Sequence, residues 1–285
     1  MQESSAAEKP VSEKMQELRR RLGDLSPLLI AFSGGVDSSF LLAVAAEVRK
    51  DNVVALMTIS SSTPPEDEQQ AEEIAQRFQV QLLKIAHDEL AIPQYAANPT
   101  NRCYFCKNSL YEICRREAER LSIQTIADGI NLDDLADYRP GLSAAKEYGI
   151  THPLVDARFT KADIRHGSKL LGLPTWEKPA SPCLSSRVPY GTPITAIMLR
   201  QIAQAEAYLR TLGLREFRVR HHRTSARLEV SLTDFSKFHS QSVLTSLRQK
   251  MQEYGFSETH FDLEGYRSGV FNEGLQKTEE KMSFS

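Results

Sequence analysis

The chain has 285 residues, long enough to bury a sizeable core and too long to expect one compact unit, so two domains are predicted. Its formal net charge of −2 excludes a basic nucleic-acid coat, and no apolar run approaches membrane-spanning length. Four cysteines in a chain of this length do not make a disulfide framework, which points to a soluble, cytoplasmic protein with no membrane partner.

Residues 1–14 and 276–285 are polar, lack periodic apolar positions and read as loose tails. Between them the pattern divides into a first domain over 15–185 and a second over 186–275. The first chemical signal is early. An apolar run of strand length, Leu28-Leu29-Ile30-Ala31-Phe32, stops at Ser33-Gly34-Gly35, and Phe40, Leu41, Leu42, Val44, Ala45 and Val48 then recur at helical spacing. A strand that turns through two glycines into a helix aims several backbone N–H groups at one point, a geometry suited to phosphate. Helix-end charge contributes only about 0.3–1 kcal/mol, too little to hold a nucleotide alone. A magnesium ion is therefore implied, with Asp37 inside the turn as its carboxylate. Ser33-Gly34-Gly35-Val36-Asp37-Ser38 is neither a Walker loop nor G-x-G-x-x-G. It resembles the SGGxDS signature of the PP-loop ATP pyrophosphatases, which split ATP between its α and β phosphates and adenylate a substrate oxygen. On that resemblance Ser33, Gly34, Gly35, Ser38 and Ser39 form the pyrophosphate cradle.

Strand and helix patterns then alternate to about Leu173. Strands are predicted over 53–59, 80–85 and 123–127, and helices over 66–78, 107–121 and 160–171, the last opened by a Thr160/Asp163 capping pair. This alternation predicts an α/β fold, a parallel sheet with helices on both faces and ligands at the carboxyl ends of the strands. Ser60-Ser61-Ser62 follows the second strand at that rim, where adenine or ribose is met, and Asp128-Gly129 follows the fourth. The acids Asp128, Asp133, Asp134 and Asp137, with Arg139, could bind Mg²⁺, orient substrate or simply line a solvated loop.

Cys114 shares a helical face with Leu110, Ile113, Ala118 and Leu121 and reads as a core residue. Cys103 and Cys106 form C-x-x-C on the loop before helix 107–121, and Cys183 stands apart in a polar, Pro-rich stretch. Four readings stay open for these three. They could be a redox dithiol, although the thioredoxin-like context is missing, or a zinc site lacking an obvious fourth ligand. They could be inert buried thiols, or ligands of a [4Fe–4S] cluster whose fourth iron stays open.

The second domain reads as a small α/β unit in the order α-β-β-α-β, with helices over 195–212 and 234–254 and strands over 216–221, 227–231 and 257–263, antiparallel in the simplest arrangement. Alternation in Phe217-Arg218-Val219-Arg220 puts Arg218 and Arg220 on one face, suited to a phosphate or carboxylate, with Glu206 and Glu229 as braces. The wider basic group (Arg210, Arg215, Arg218, Arg220, His221, His222, Arg223, Arg227) leaves RNA as a partner to weigh, but no RNP-like aromatic motif or zinc ribbon accompanies it.

With these residues in view, the chain resembles the LarE family of PP-loop sulfur transferases. The resemblance covers about residues 15–275. It rests on 33–39, on Asp137-Tyr138-Arg139-Pro140-Gly141, on 180–191 with Ser185-Ser186-Arg187 and Pro189-Tyr190-Gly191, on Arg218-Val219-Arg220 and on Gly265-Tyr266-Arg267-Ser268-Gly269. The family implies ATP-dependent conversion of a carboxylate of pyridinium-3,5-biscarboxylic acid mononucleotide to a thiocarboxylate, on the route to the nickel-pincer nucleotide. It implies Arg218 and Arg220 as contacts to substrate phosphate, and a homo-oligomer, a hexamer. Sacrificial members give up the sulfur of one cysteine, which becomes dehydroalanine. Here that position falls on Pro182 in ungapped register, with Cys183 one place later. The departure resembles the branch in which three cysteines hold a [4Fe–4S] cluster, which implies Cys103, Cys106 and Cys183 as ligands and sulfide or a sulfur carrier as donor. The other readings are sacrifice of Cys183, a tRNA thiolase, an amidating synthetase using ammonia, and a non-catalytic nucleotide-binding regulator.

Overall fold

The computed structural model describes residues 10–25, 27–135, 140–179 and 181–267. Asp137, Arg139, Ser268, Gly269 and the expected tail 276–285 lie outside them. Chain contacts divide the molecule into two units, one built from 1–89 and 101–181 and the other from 90–100 and 182–285. Residues 182–185, assigned to the first domain above, thus fall in the second unit, which also takes in 90–100.

In the first unit, β1 (Leu28–Ala31), β2 (Val53–Ile59), β3 (Gln81–Ala86) and β4 (Thr125–Ala127) form a parallel sheet in the order β3-β2-β1-β4. β1 is buried at every residue, as expected of a central strand covered on both faces. Its alternate side chains supply two cores. Leu28 and Ile30 pack with Leu18, Phe40, Leu41, Val44, Phe159 and Ile164, while Leu29 and Ala31 pack with Tyr111, Cys114, Ala118 and Ile126. Cys114 is fully buried in the second of these, and burial pushes its thiol up to about 12. The predicted α/β architecture is therefore the one observed.

Helix α1 (Val11–Asp24) begins inside the expected N-terminal tail. The reason is an amphipathic stripe of Met15, Leu18 and Leu22, and Lys14 is tied to Asp163 at 2.6 Å. Helices α2 (Val36–Arg49) and α3 (Pro65–Arg77) connect β1 to β2 and β2 to β3. Helix Arg102–Arg120 starts five residues earlier than expected, so Cys103 and Cys106 lie in its first two turns rather than on a loop. Thr160 and Asp163 form the expected capping box at the start of helix Lys161–Leu170. The chain runs β1-β2-β3 in one direction and then returns to place β4 on the far side of β1. The carboxyl ends of β1 and β4 therefore flank a topological switch point, the crevice where such sheets bind ligands.

In the second unit, β5 (Phe217–His222) and β6 (Ser225–Val230) form an antiparallel hairpin. β7 (Glu258–Phe261) joins β6 in parallel, correcting the antiparallel expectation. The parallel sense arises because helix Gln241–Glu253 crosses over between the two strands. That helix is shorter than the expected 234–254, since residues Leu232–Phe238 form a separate 3₁₀ turn before it. Helix Ala196–Thr211 contributes Ala205 and Leu209 to a core with Phe217, Val219, Leu228, Met251 and Phe256. Segment 90–100 belongs here because Asn98 Nδ2 donates to the carbonyls of Pro189 (2.8 Å) and Thr192 (2.9 Å), and the Tyr95 hydroxyl meets Ser185 Oγ at 2.6 Å. No helix among the described residues is long and apolar enough to cross a membrane.

Candidate active site

The turn after β1 needs its first glycine twice over. Gly34 sits at φ +68°, and a Cβ there would stand 2.5 Å from the carbonyl oxygen of Asp67 at the start of α3. Gly129, after β4, is equally constrained, since its Cβ would stand 2.8 Å from the Ser38 amide nitrogen. The β4 loop thus rests directly on the first turn of α2, and the two expected loops do meet at the switch point. Inside the turn, Ser33 Oγ and Ser38 Oγ are 3.1 Å apart, and Ser38 Oγ also takes the Ser33 amide at 3.3 Å. Ser39, expected in the same cradle, is fully buried and its Oγ has no hydrogen-bond partner among the described residues.

Asp37 pairs through Oδ2 with Lys161 Nζ, while its Oδ1 is buried with no partner among the described residues. A buried carboxylate oxygen left unmatched is costly unless something fills the position, and a hydrated Mg²⁺ is the group that fits a site made for polyphosphate. A second lysine reaches the loop: Lys178 Nζ lies 2.8 Å from Asp67 Oδ1 and donates to the Gly34 carbonyl at 3.3 Å. Neither lysine emerged from the sequence. Lys161 was hidden behind the capping signal at Thr160, and Lys178 lies between the helical patterns 160–171 and 195–212, in a stretch with no periodicity to place it.

The acidic loop is largely structural. Asp128 is buried, accepts from the Tyr111 hydroxyl at 2.6 Å and from the Ile130 amide at 3.1 Å, and meets His152 Nδ1 at 2.8 Å. Burial alone would raise its pKa; the His152 hydrogen bond, the nearby Lys107 charge and the Tyr111 hydroxyl together outweigh it and hold the carboxyl below its ordinary value. Asp134 accepts the Asn131 amide at 3.1 Å and Asp133 accepts the Lys161 amide at 2.7 Å. Each of these three carboxylates is thus engaged in holding backbone.

After β2, Ser60 Oγ lies 3.0 Å from Glu89 Oε2, an oxygen that also accepts from the Ser62 hydroxyl. Cys106 Sγ donates to the other oxygen, Glu89 Oε1, at 3.0 Å. Cys103 is exposed, Cys106 partly buried, and their i, i+3 spacing sets both thiols on one helix face. Cys183 is partly buried and belongs to the second unit. Two thiols three residues apart on one helix, neither in a disulfide, match the donor chemistry of thiolate ligation. Among the described residues, however, no three His, Cys, Asp or Glu side chains are gathered as a metal set.

In the second unit the arginines divide their partners differently from expectation. Glu229 does brace Arg220, at 2.9 Å to both nitrogens. Glu206 instead holds Arg187 in a fork at 2.8 Å and accepts the Val219 amide at 3.1 Å. Arg187, a member of the Ser185-Ser186-Arg187 motif, is thus the residue the sequence left without a role. It also donates to the carbonyls of Pro182 (2.6 Å) and Cys183 (3.2 Å), while Arg220 donates to that of Ser186 at 2.8 Å. Arg218 is 8 % exposed, lies over the Tyr266 ring at 5.0 Å and donates to its hydroxyl at 3.2 Å. Its pKa is lowered by burial first and then by the charge of Arg187. A guanidinium under that strain is stabilised by an arriving anion.

A strand–SGGVDS–helix turn at the switch point of a parallel sheet, with an unmatched aspartate oxygen beside two lysines, defines a PP-loop nucleotide-binding enzyme. A model of the asparagine synthase family matches residues 15–99. The chain is 44 % identical over 264 residues to an uncharacterized protein of Synechocystis sp., covering 93 % of this chain and 98 % of that one. It is 34 % identical over 270 residues to the pyridinium-3,5-bisthiocarboxylic acid mononucleotide synthase of Lactiplantibacillus plantarum, covering 93 % and 96 %. An uncharacterized protein of Methanocaldococcus jannaschii is 30 % identical over 244 residues, covering 85 % and 91 %. The chain belongs to the LarE family and is an ATP-dependent sulfur transferase that binds ATP and Mg²⁺.

Proposed function

We propose that this enzyme adenylates a carboxylate of pyridinium-3,5-biscarboxylic acid mononucleotide and converts it to a thiocarboxylate. The observation that carries the first half is Asp37 Oδ1, a buried oxygen with no partner among the described residues, in the turn where polyphosphate would lie. Ser33, Gly34, Gly35 and Ser38 present the pyrophosphate cradle, and Lys161 and Lys178 offset the charge that develops as pyrophosphate leaves. Ser39 remains only as a buried flank of the cradle. Ser60 lies on the loop where adenine or ribose is met, and Gly129 lets the β4 loop close on α2. A carboxylate carbon resists attack because oxide would have to leave; once adenylated it loses AMP instead, and sulfur takes its place. Arg218 and Arg220 hold the substrate phosphate, Glu229 bracing Arg220 and Glu206 acting through Arg187. Their burial favours a small anion over an RNA backbone, which would need exposed cations. An amidating enzyme would not need the thiols, and a nucleotide-binding regulator would release no pyrophosphate.

The sulfur route is read from Cys103, Cys106 and Cys183 as ligands of a [4Fe–4S] cluster. A cluster held by these three cysteines would have one iron without a protein ligand and would supply sulfide there. The donor would be sulfide or a sulfur carrier, and the assembly a homo-oligomer, a hexamer. One observation favours the other route, sacrifice of Cys183: Arg187 fixes the Cys183 carbonyl within the same unit as Arg218 and Arg220. Anaerobic purification with iron and acid-labile sulfide assays, followed by intact mass after one turnover, separates the two. Bound iron and unchanged protein mass support the cluster. An iron-free protein that loses hydrogen sulfide at Cys183 supports sacrifice.

A further inference from the structure

The carboxylate of Glu89 is buried, and its oxygens collect hydrogen bonds from two different elements of the first unit. One accepts the hydroxyls of Ser60 and Ser62 on the loop after β2, and the other accepts the Cys106 thiol at 3.0 Å. The Ser60 amide is itself held by Thr63 Oγ1 at 3.2 Å, so this loop is ordered up to the point where it meets Glu89. Cys103, one turn earlier on the same helix face, has no described bond to Glu89 and is exposed. Two cysteines of the same motif are therefore held unequally.

We propose that in the cluster-free protein Glu89 is a positioning residue that joins the loop after β2 to the Cys106 thiol, so that nucleotide bound at the loop is felt at the Cys106 sulfur. The inference rests on the reading of Ser60 as a nucleotide-side residue and of Cys106 as part of the sulfur chemistry. When a nucleotide engages the Ser60 or Ser62 hydroxyl, Glu89 loses a donor, and its remaining hydrogen bond to Cys106 strengthens. Coupling of this kind is a free energy shared between two sites and must run both ways.

The test uses the full-length, iron-free protein, iodoacetamide and peptide mass spectrometry, with and without a non-hydrolysable ATP analogue and Mg²⁺. The nucleotide should slow alkylation of Cys106 by about fivefold or more while leaving Cys103 unchanged, the low end of typical allosteric coupling. Glu89→Ala should speed Cys106 alkylation and abolish the nucleotide effect, and Glu89→Gln should restore part of it. Ser62→Ala, which leaves Glu89 in place, should weaken the effect if Glu89→Ala does not fold. A Cys106 rate indifferent to nucleotide, or one equally sensitive in Glu89→Ala, overturns the proposal. Because labelling is read without turnover, failure to form a thiocarboxylate would count against the sulfur reading alone.

Discussion

Arg187 meets Glu206 in a two-pronged ion pair in which both side chains are 2 % exposed. Such a pair is far more costly to halve than to hold, because the survivor is a buried charge with no counterion. Glu206→Ala should therefore destabilise the protein by about 3–5 kcal/mol in denaturant unfolding. Replacing both partners, as Arg187→Met with Glu206→Leu, should recover part of that stability, because the Val219 amide and the Pro182 and Cys183 carbonyls lose their partners, and none of the substrate affinity. If the single and double variants lose equal stability, the pair is not what Glu206 is for.

Substitution at the phosphate turn has a backbone cause. Gly34→Ala must accommodate a left-handed φ and a Cβ 2.5 Å from the Asp67 carbonyl oxygen. The turn should open, and ATP affinity measured by calorimetry should fall by more than about tenfold even if the variant folds, since only about 1.4 kcal/mol is needed for that change.

Asp37→Asn keeps the shape of the side chain and removes the charge that faces Lys161. Pyrophosphate release should fall by about 10²–10³-fold, the size of effect seen when one preorganised electrostatic group is lost. The Mg²⁺ concentration for half-maximal rate should rise as well. A Lys161→Met enzyme should lose rate without that shift in Mg²⁺ dependence.

Much of this was legible in advance, and the reasons for what was not are local. The turn at 33–39 was plain because strand, glycines and helix periodicity all pointed to one geometry. Lys161 and Lys178 were not, because a long side chain on a loop or helix start leaves no periodic trace. Glu206 pairs with Arg187 rather than Arg218 because only the fold decides which of several arginines shares its depth. The first turn of helix Arg102–Arg120 looks like loop in the sequence, since Cys103, Tyr104 and Phe105 lack the amphipathic spacing seen further along.

Two carboxylates set an acid limit on stability. Asp128 is held below its ordinary value against the cost of burial by His152, Lys107 and Tyr111, and Asp163 likewise by Lys14 and Thr160. A lowered folded pKa means the unfolded chain binds more protons just below the ordinary carboxylate value of about 4. The stability these groups contribute is fully present above that value and is lost as pH falls through their lowered folded values. Thermal melts from pH 6 down to about pH 3 should show this decline, and Asp128→Asn should flatten it. A variant with an unchanged slope would place the acid sensitivity elsewhere.

The central claim is that ATP is cut to leave AMP on a substrate carboxylate before sulfur arrives. Pyridinium-3,5-biscarboxylic acid mononucleotide with ¹⁸O in its carboxylates tests it in a single reaction with ATP, Mg²⁺ and sulfide under anaerobic conditions. The AMP released should carry one ¹⁸O, alongside pyrophosphate and a thiocarboxylate product. Unlabelled AMP, or ADP and phosphate in place of AMP and pyrophosphate, would contradict the account.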